Sequence, residues 1–465
     1  MLFNSLEFLL FYPTVLLVFW ALALTPAWTL RKLVLLGASY LFYISWNPPF
    51  VLLLMFSTAL DFVAARRMHA AATRGGRRAW LLASLVGNLG VLAYFKYAAF
   101  AAASFAALVE TPLVDPAFFN VILPLGISFY TFQSLSYTID VYRGAIPPHP
   151  SLLDFALYVA FFPQLVAGPI VRAAYFLPQL ARPTGIGGTA TERALMLIAL
   201  GLFKKVVCAD VLGEYVDEVF AHVWRYRGIN LLVAAYAYAF QIYFDFSGYS
   251  DMAIGLAGLL GFRIPINFRM PYAAQNPVEF WRRWHISLST WLRDYLYIPL
   301  GGNRRGRART YVNLMLTMLL GGLWHGAAWT FVVWGAYHGV LLALHRLLFR
   351  GRVRHESALA VLGRRLATFH LVAAGFVIFR APSLAEVGIF LRQIIEPGLA
   401  TSPAFVRAVG WTVLAFAVHQ LAADRRPGRV FLRTPPLVQA TVYAAAAVLV
   451  FLFSPLSERF IYFQF

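Results

Sequence analysis

Apolar stretches recur along the whole chain, at Phe8 to Leu24, Trp80 to Ala107, Val121 to Leu135, Ala194 to Val207, Leu231 to Phe244, Val332 to Leu344 and Val438 to Phe453. A bilayer core about 30 Å thick takes roughly 20 apolar residues as a spanning helix, and shorter apolar helices fit as buried or re-entrant pieces. The pattern predicts an all-α polytopic integral membrane protein with ten to twelve membrane-embedded helices, some of them re-entrant or interfacial. No stretch is left for a soluble domain of useful size. The chain reads as a single membrane-embedded domain over residues 1–465, with its motif-bearing core from about 120 to 345. The first stretch carries Glu7, lacks a basic start and shows no small-residue cleavage pattern, so it reads as a retained helix rather than a signal peptide.

Polar punctuation separates the stretches. Pro147-Pro148-His149-Pro150 and Arg182 to Gly188 are the clearest loops. Between them, Phe161 to Ile170 holds prolines and a glycine in a helix too short to cross, a candidate re-entrant segment whose freed backbone groups need partners inside protein. Asn276-Pro277-Val278-Glu279 has the form of a helix start: Asn as N-cap, Pro in the first turn, Glu three residues on. The helix it opens is predicted to run through Leu296. Phe280, Trp281, Trp284, Leu288, Trp291, Leu292, Tyr295 and Leu296 recur at three-to-four spacing, and Arg282, Arg283, Ser289, Thr290, Arg293 and Asp294 fill the polar positions. Its tryptophans and arginines place it near the cytoplasmic headgroup surface, with Trp281 and Ser289 one turn either side of His285. Beyond Gly301-Gly302-Asn303-Arg304-Arg305, the apolar run from Tyr311 to Leu323 rises about 20 Å as a helix and carries Trp324-His325-Gly326 deep into the bilayer. Because arginines return from Arg346, the chain is expected to turn back there, helped by Gly321, Gly322 and Gly326.

Composition sharpens this picture: 60% of the residues are hydrophobic and 13% charged. The net charge of +19 sits in loops at Arg66 to Arg78, Arg304 to Arg309, Arg346 to Arg365 and Arg425 to Arg433. By the positive-inside rule those loops face the cytoplasm, with Arg31 and Lys32, while the acidic stretch around Glu110 and Asp115 lies outside. Topology and attraction to anionic lipid explain the charge, so no nucleic-acid partner is needed. The lone Cys208 excludes an internal disulfide and reads as a small buried residue. No histidine or carboxylate pair has ligand spacing for a metal.

Ionisable groups are expensive in a bilayer, so His285 and His325, set among tryptophans and arginines, are the place to look for chemistry. A neutral histidine can take a proton from a hydroxyl and return it within one cycle. Packing is the alternative role for a buried histidine, and it is the reading for His338 and His345. Asp245 and Asp251, in an apolar run with Tyr243, Ser247 and Tyr249, either orient a histidine or bond across helices; Trp324 is a further orienting candidate. Ser247 has no adjacent base and is not favoured as a nucleophile. A transporter or acyl-passing channel would also have broken helices and buried charge, but no inverted repeat of hydrophobic segments is visible.

Five ordered blocks, with a sixth at the end of the chain, resemble the membrane-bound O-acyltransferase family and, within it, the alginate O-acetyltransferase branch. They are Leu123 to Phe132 (LPLGISFYTF), Phe162 to Ile170 (FPQLVAGPI), Phe244 to Asp251 (FDFSGYSD), Phe280 to Ser289 (FWRRWHISLS), Gly322 to Ala327 (GLWHGA) and Tyr462 to Phe465 (YFQF). At Ile264-Pro265-Ile266-Asn267 the chain has isoleucine where the family often has glutamate. The resemblance implies a ring of helices around a funnel or tunnel, His325 as the essential histidine and His285 as a second important one. It also implies an O-acyltransferase of the bacterial inner membrane that acetylates an exported polysaccharide, directly or through a periplasmic acetyltransferase partner. The donor expected is acetyl-CoA, as a substrate and not a resident cofactor, with Arg282, Arg283, Arg304 and Arg305 as candidate contacts for its phosphates. D-alanyl transfer from a carrier protein to teichoic acid stands as the alternative within the family.

Overall fold

The computed structural model describes residues 1–109, 121–349, 357–423, 425, 427–454 and 460–461. The acidic stretch around Glu110 and Asp115, part of the Arg346 to Arg365 loop and the closing Tyr462 to Phe465 block lie outside the described residues. Among the described residues the ordered structure is helical throughout. Eight of its helical stretches are long and apolar enough to cross a membrane. Shorter and more polar helices make up the rest of the described helical residues. The chain packs as two compact units, Met1–Leu195 with Met252–Pro265, and Met196–Asp251 with Ile266–Phe465.

The first unit contains α1 (Leu6–Ala21), α2 (Trp28–Ile44), α3 (Val51–Ala70), α4 (Arg74–Leu92), α5 (Ala98–Val109), α6 (Ile127–Arg143), α7 (Leu152–Ala160), the single turns α8 (Phe162–Leu165) and α9 (Ala173–Phe176), and the first half of α10 (Gly188–Leu202). Caps fix their starts: the Ser5, Thr73 and Ser151 hydroxyls accept the N–H of Phe8, Gly76 and Asp154. Phe161 to Ile170 is buried throughout, and the Gln164 amide donates to the Tyr158 carbonyl at 3.0 Å, which is how this broken segment satisfies part of its polar surface. Arg31 and Lys32 are buried among the helices of this unit. Lys32 pairs with Asp154 at 2.5 Å, and the Arg31 guanidinium lies 4.0 Å from the Phe19 ring centre, between Trp20 and Trp28. Both charges therefore hold helices together.

The second unit is built from α11 (Asp210–Ala221), α12 (Ile229–Leu259, whose last turns belong to the first unit), α13 (Pro277–Arg283), α14 (Ile286–Leu292), α15 (Arg307–His325), α16 (Trp329–Leu348), α17 (Ala358–Arg380), α18 (Leu384–Gln393), α19 (Pro403–Ala422), α20 (Pro427–Phe431) and α21 (Pro436–Phe453). The expected turn-back is present. α15 ends at His325 and α16 returns from Trp329, with their backbones in close approach. A Cβ on Gly322 would lie 2.2 Å from the Phe331 carbonyl oxygen, and one on Gly335 would lie 2.4 Å from that of Met318. These two glycines leave the room that the hairpin needs.

The expected continuous helix from Pro277 to Leu296 is broken. Its start is as read, since Asn276 Oδ1 accepts the Glu279 N–H at 2.8 Å, while Glu279 bonds back to the N–H of Gln275. It stops at Arg283 because the next residues leave the helix to pair with an extended segment: Arg269 N–H donates to the Arg283 carbonyl, and Ile286 N–H to the Asn267 carbonyl, both at 2.9 Å. The break places His285 in the left-handed region, φ 40° and ψ 55°. Helical periodicity cannot register such a break when both flanking pieces keep their apolar face.

Candidate active site

His325 is the last residue of α15, where Gly326 is extended and ends the helix. It is 6% exposed. The rings of Trp324, Trp334 and Phe379 meet it edge to face, with centroids 5.0, 5.1 and 5.3 Å away. Three aromatic walls from α15, α16 and α17 thus fix one imidazole in a water-poor setting. Gly326 allows the fit, because a Cβ there would fall 2.1 Å from the Phe331 ring, which itself packs on Phe379.

His285 comes from the break between α13 and α14 and is fully buried. Its ring centre is 6.4 Å from that of His325 and 5.9 Å from that of Trp324, and Phe246 of α12 packs across it at 4.6 Å. The structure thus brings His285, His325 and Trp324 into one cluster. Asn267 sets the ring's tautomer. Asn267 Oδ1 accepts the Ser287 N–H at 3.1 Å and the Ser287 hydroxyl at 2.9 Å; because an N–H can only donate, the facing atom is the oxygen. His285 Nδ1, 3.2 Å from the same oxygen, is therefore the protonated nitrogen, and Nε2 is the acceptor side of the ring. Burial pushes the His285 pKa down to about 3, so the ring is neutral at any working pH.

The other sequence candidates fall in different places. Asp245 accepts from Lys205 Nζ at 2.9 Å and from the Ile461 N–H at 2.9 Å; Lys205 also binds Asp210 at 2.7 Å, and Asp251 pairs with Lys204 at 2.6 Å. Both carboxylates thus serve cross-helix ion pairs. Arg283 is committed to Glu279 at 2.6 Å and to the Ala423 carbonyl at 3.3 Å. Arg282, Arg304 and Arg305 are exposed. His338, read as a packing residue, is buried against Trp334 and Trp281 at 4.8 and 5.1 Å. Among the described residues no group of three or more His, Cys, Asp or Glu is placed to hold a metal ion.

Sequence reasoning missed Asn267, Trp334 and Phe379. Asn267 had a signal, an isolated amide in the proline-flanked stretch just before the capping motif. Trp334 and Phe379 had none, because an aromatic that walls a site and one that fills a core look alike in a helical pattern.

Arranged in this way, the site offers one histidine at a helix C-terminus, a second held neutral beside it, and walls that exclude water. That suits proton transfer between a hydroxyl and a leaving group. Residues 79–356 match the model of the membrane-bound O-acyltransferase family, a span that contains both histidines. The chain is 47% identical to a probable alginate O-acetylase AlgI of Azotobacter vinelandii, over 83% of this chain and 76% of that protein, and 47% identical to that of Pseudomonas aeruginosa, over 83% and 73%. It is 37% identical to a peptidoglycan O-acetyltransferase of Helicobacter pylori, over 76% of this chain and 71% of that protein. A buried pair of histidines within the matched span, in a multi-pass helical membrane protein with such relatives, identifies the chain as a member of the membrane-bound O-acyltransferase family and as an O-acyltransferase.

Proposed function

We propose that the protein moves an acetyl group from a cytoplasmic thioester donor, acetyl-CoA, to the hydroxyls of an exported cell-envelope polysaccharide of the alginate type, in the bacterial inner membrane. The observation that carries this reading is the pairing of His325 and His285 in one buried aromatic cluster, their ring centres 6.4 Å apart.

The acceptor hydroxyl gives its proton to His325 as its oxygen attacks the thioester carbonyl carbon. The tetrahedral intermediate then collapses, the carbon–sulfur bond breaks, and the thiolate takes the proton back from His325, so the enzyme ends as it began. The C-terminal end of α15 carries partial negative charge, which favours the transient imidazolium by about 0.3–1 kcal/mol, and by more in a partly buried site. His285 holds a group in place through its acceptor nitrogen Nε2. That tautomer is unsuited to donating to an oxyanion, so of the two roles open to His285, holding is the one favoured. Exposed Arg282, Arg304 and Arg305 are the contacts suggested for the donor's phosphates.

The polymer acceptor follows the relatives' names, and a periplasmic partner that completes the transfer fits the same reading. D-alanyl transfer is less well supported: the teichoic acid D-alanyltransferase of Bacillus subtilis is 27% identical over 56% of this chain, against 47% over 83% for the O-acetylases. The test is transfer of labelled acetyl from acetyl-CoA by the protein in lipid vesicles, with the polysaccharide or a candidate partner present. Label on polymer or partner that requires His325 supports the proposal. Transfer of D-alanine from a carrier protein, without transfer of acetyl, would replace it.

A further inference from the structure

Arg31, in the first turn of α2, is 3% exposed. Its guanidinium carbon lies 4.0 Å from the centre of the Phe19 ring, 4.9 Å from that of Trp20 and 5.1 Å from that of Trp28. The rings ease the burial of a cation, but they supply neither a counter-charge nor a hydrogen-bond acceptor. Nε and Nη2 are sealed from solvent without an acceptor, and Nη1 is the guanidinium nitrogen left outside that seal. Lys32 beside it has Asp154, whereas among the described residues Arg31 has no carboxylate. α2 also begins without a side-chain cap or an acidic residue in its first turn, so the positive end of its dipole adds to the same uncompensated charge.

The place of this charge says what meets it. α1 and the turn after it, Leu6–Leu24, are long and apolar enough to cross a membrane, so Trp20, Trp28 and Arg31 gather where that span ends, at headgroup depth. Leu24 on the same turn is 91% exposed, as suits contact with acyl chains. Two more arginines stand at the rim. The Trp28 indole donates to the Leu180 carbonyl at 2.8 Å, two residues before Arg182, and its ring stacks on Phe262 at 6.4 Å, one residue before Arg263. The Gln179 side chain ties these segments together, accepting the Arg263 N–H at 2.8 Å and donating to its carbonyl at 2.9 Å. Arg182 and Arg263 are exposed, and neither is in an ion pair among the described residues.

We infer that Arg31, with Arg182 and Arg263 at its rim, forms a headgroup site in the first unit for an anionic phospholipid, held through its phosphate. A phosphate oxygen accepts from Nη1 and supplies the negative charge that the rings cannot. A zwitterionic choline lipid fits less well, because its ammonium meets the rim arginines. The site is separate from the acyl-transfer chemistry and does not depend on the donor or acceptor assigned above.

Native mass spectrometry of the full-length protein, titrated in detergent with phosphatidylglycerol or phosphatidylcholine, tests the inference. The wild type retains one phosphatidylglycerol in preference to phosphatidylcholine. Arg31→Gln weakens that binding about tenfold, the scale of a hydrogen bond to a charged group. Arg182→Ala and Arg263→Ala each weaken it about fivefold. Arg74→Ala with Arg78→Ala, which removes exposed charge elsewhere in the same unit, leaves it unchanged. Equal affinity for the two lipids, or equal losses in the rim and control variants, marks diffuse attraction and overturns the site. Displacement of the lipid by inorganic phosphate at equal concentration overturns the lipid assignment in favour of a free anion. If Arg31→Gln does not accumulate in membranes, the rim variants against the control pair make the same distinction.

Discussion

At the scale of residues, the site depends on which nitrogen of which histidine holds a proton. Asn267 decides this for His285, since its Oδ1 also takes both Ser287 donors and cannot turn. Replacing Asn267 with alanine leaves the buried Ser287 N–H without its acceptor. The expected loss of stability is about 1–3 kcal/mol, read by thermal unfolding. The turnover number falls at the same time, because the His285 ring loses its anchor. A second prediction follows from burial, which lowers the His285 pKa to about 3. Above that value the ring is already neutral, so His285 contributes no ionisation to the pH–rate profile between pH 5 and 9. His285→Asn therefore lowers the rate but leaves the midpoint of the acid limb in place; a shift of that midpoint would contradict the neutral assignment. Both histidines drew attention in the sequence as ionisable groups in an apolar chain, while the roles expected of them came from the resemblance to the family. Asn267 was less so, since an amide's importance lies in what the fold brings against it.

At the scale of elements, two features hold the histidines together: the break between α13 and α14 and the hairpin of α15 and α16. The break puts His285 at φ 40°, a region that asparagine tolerates and β-branched residues do not. His285→Asn is thus expected to accumulate as folded protein while His285→Val does not, a difference visible in detergent-solubilised yield and unfolding temperature. In the hairpin, Gly322→Ala forces a methyl group to within 2.2 Å of the Phe331 carbonyl oxygen. The helices must then part, at a cost of about 1–3 kcal/mol typical of overpacking, and acyl transfer falls because His325 moves relative to Trp334. The hairpin was legible from basic loops on both sides and from the glycines. The helix break was not, because it is dictated by backbone pairing with residues 267–269, which no periodicity within the helix encodes.

At the scale of the molecule, a strongly cationic chain uses several charges internally. Lys205 is buried between Asp210 and Asp245, with the Phe460 ring 4.7 Å from its ammonium, so residues near the C-terminus close over an ion-pair cluster in the second unit. Lys205→Met leaves two buried carboxylates without their cation. The expected cost is about 3–5 kcal/mol, enough to remove most of the protein from the membrane fraction. The same substitution at an exposed position such as Arg304 should leave abundance unchanged. Fold class was legible from hydrophobic runs alone, whereas the partners of Asp245 and Asp251 were not, since a carboxylate next to a histidine motif looks the same in sequence whether it orients a base or neutralises a lysine.

The most direct test of the account is transfer of labelled acetyl from acetyl-CoA by purified protein in lipid vesicles, with polysaccharide or a periplasmic partner as acceptor, for the wild type, His325→Gln and His285→Asn at equal membrane abundance. The account predicts transfer by the wild type, none above background for His325→Gln, and reduced transfer for His285→Asn. Undiminished transfer by His325→Gln would contradict the assignment of His325 as the base and, with it, the proposed chemistry.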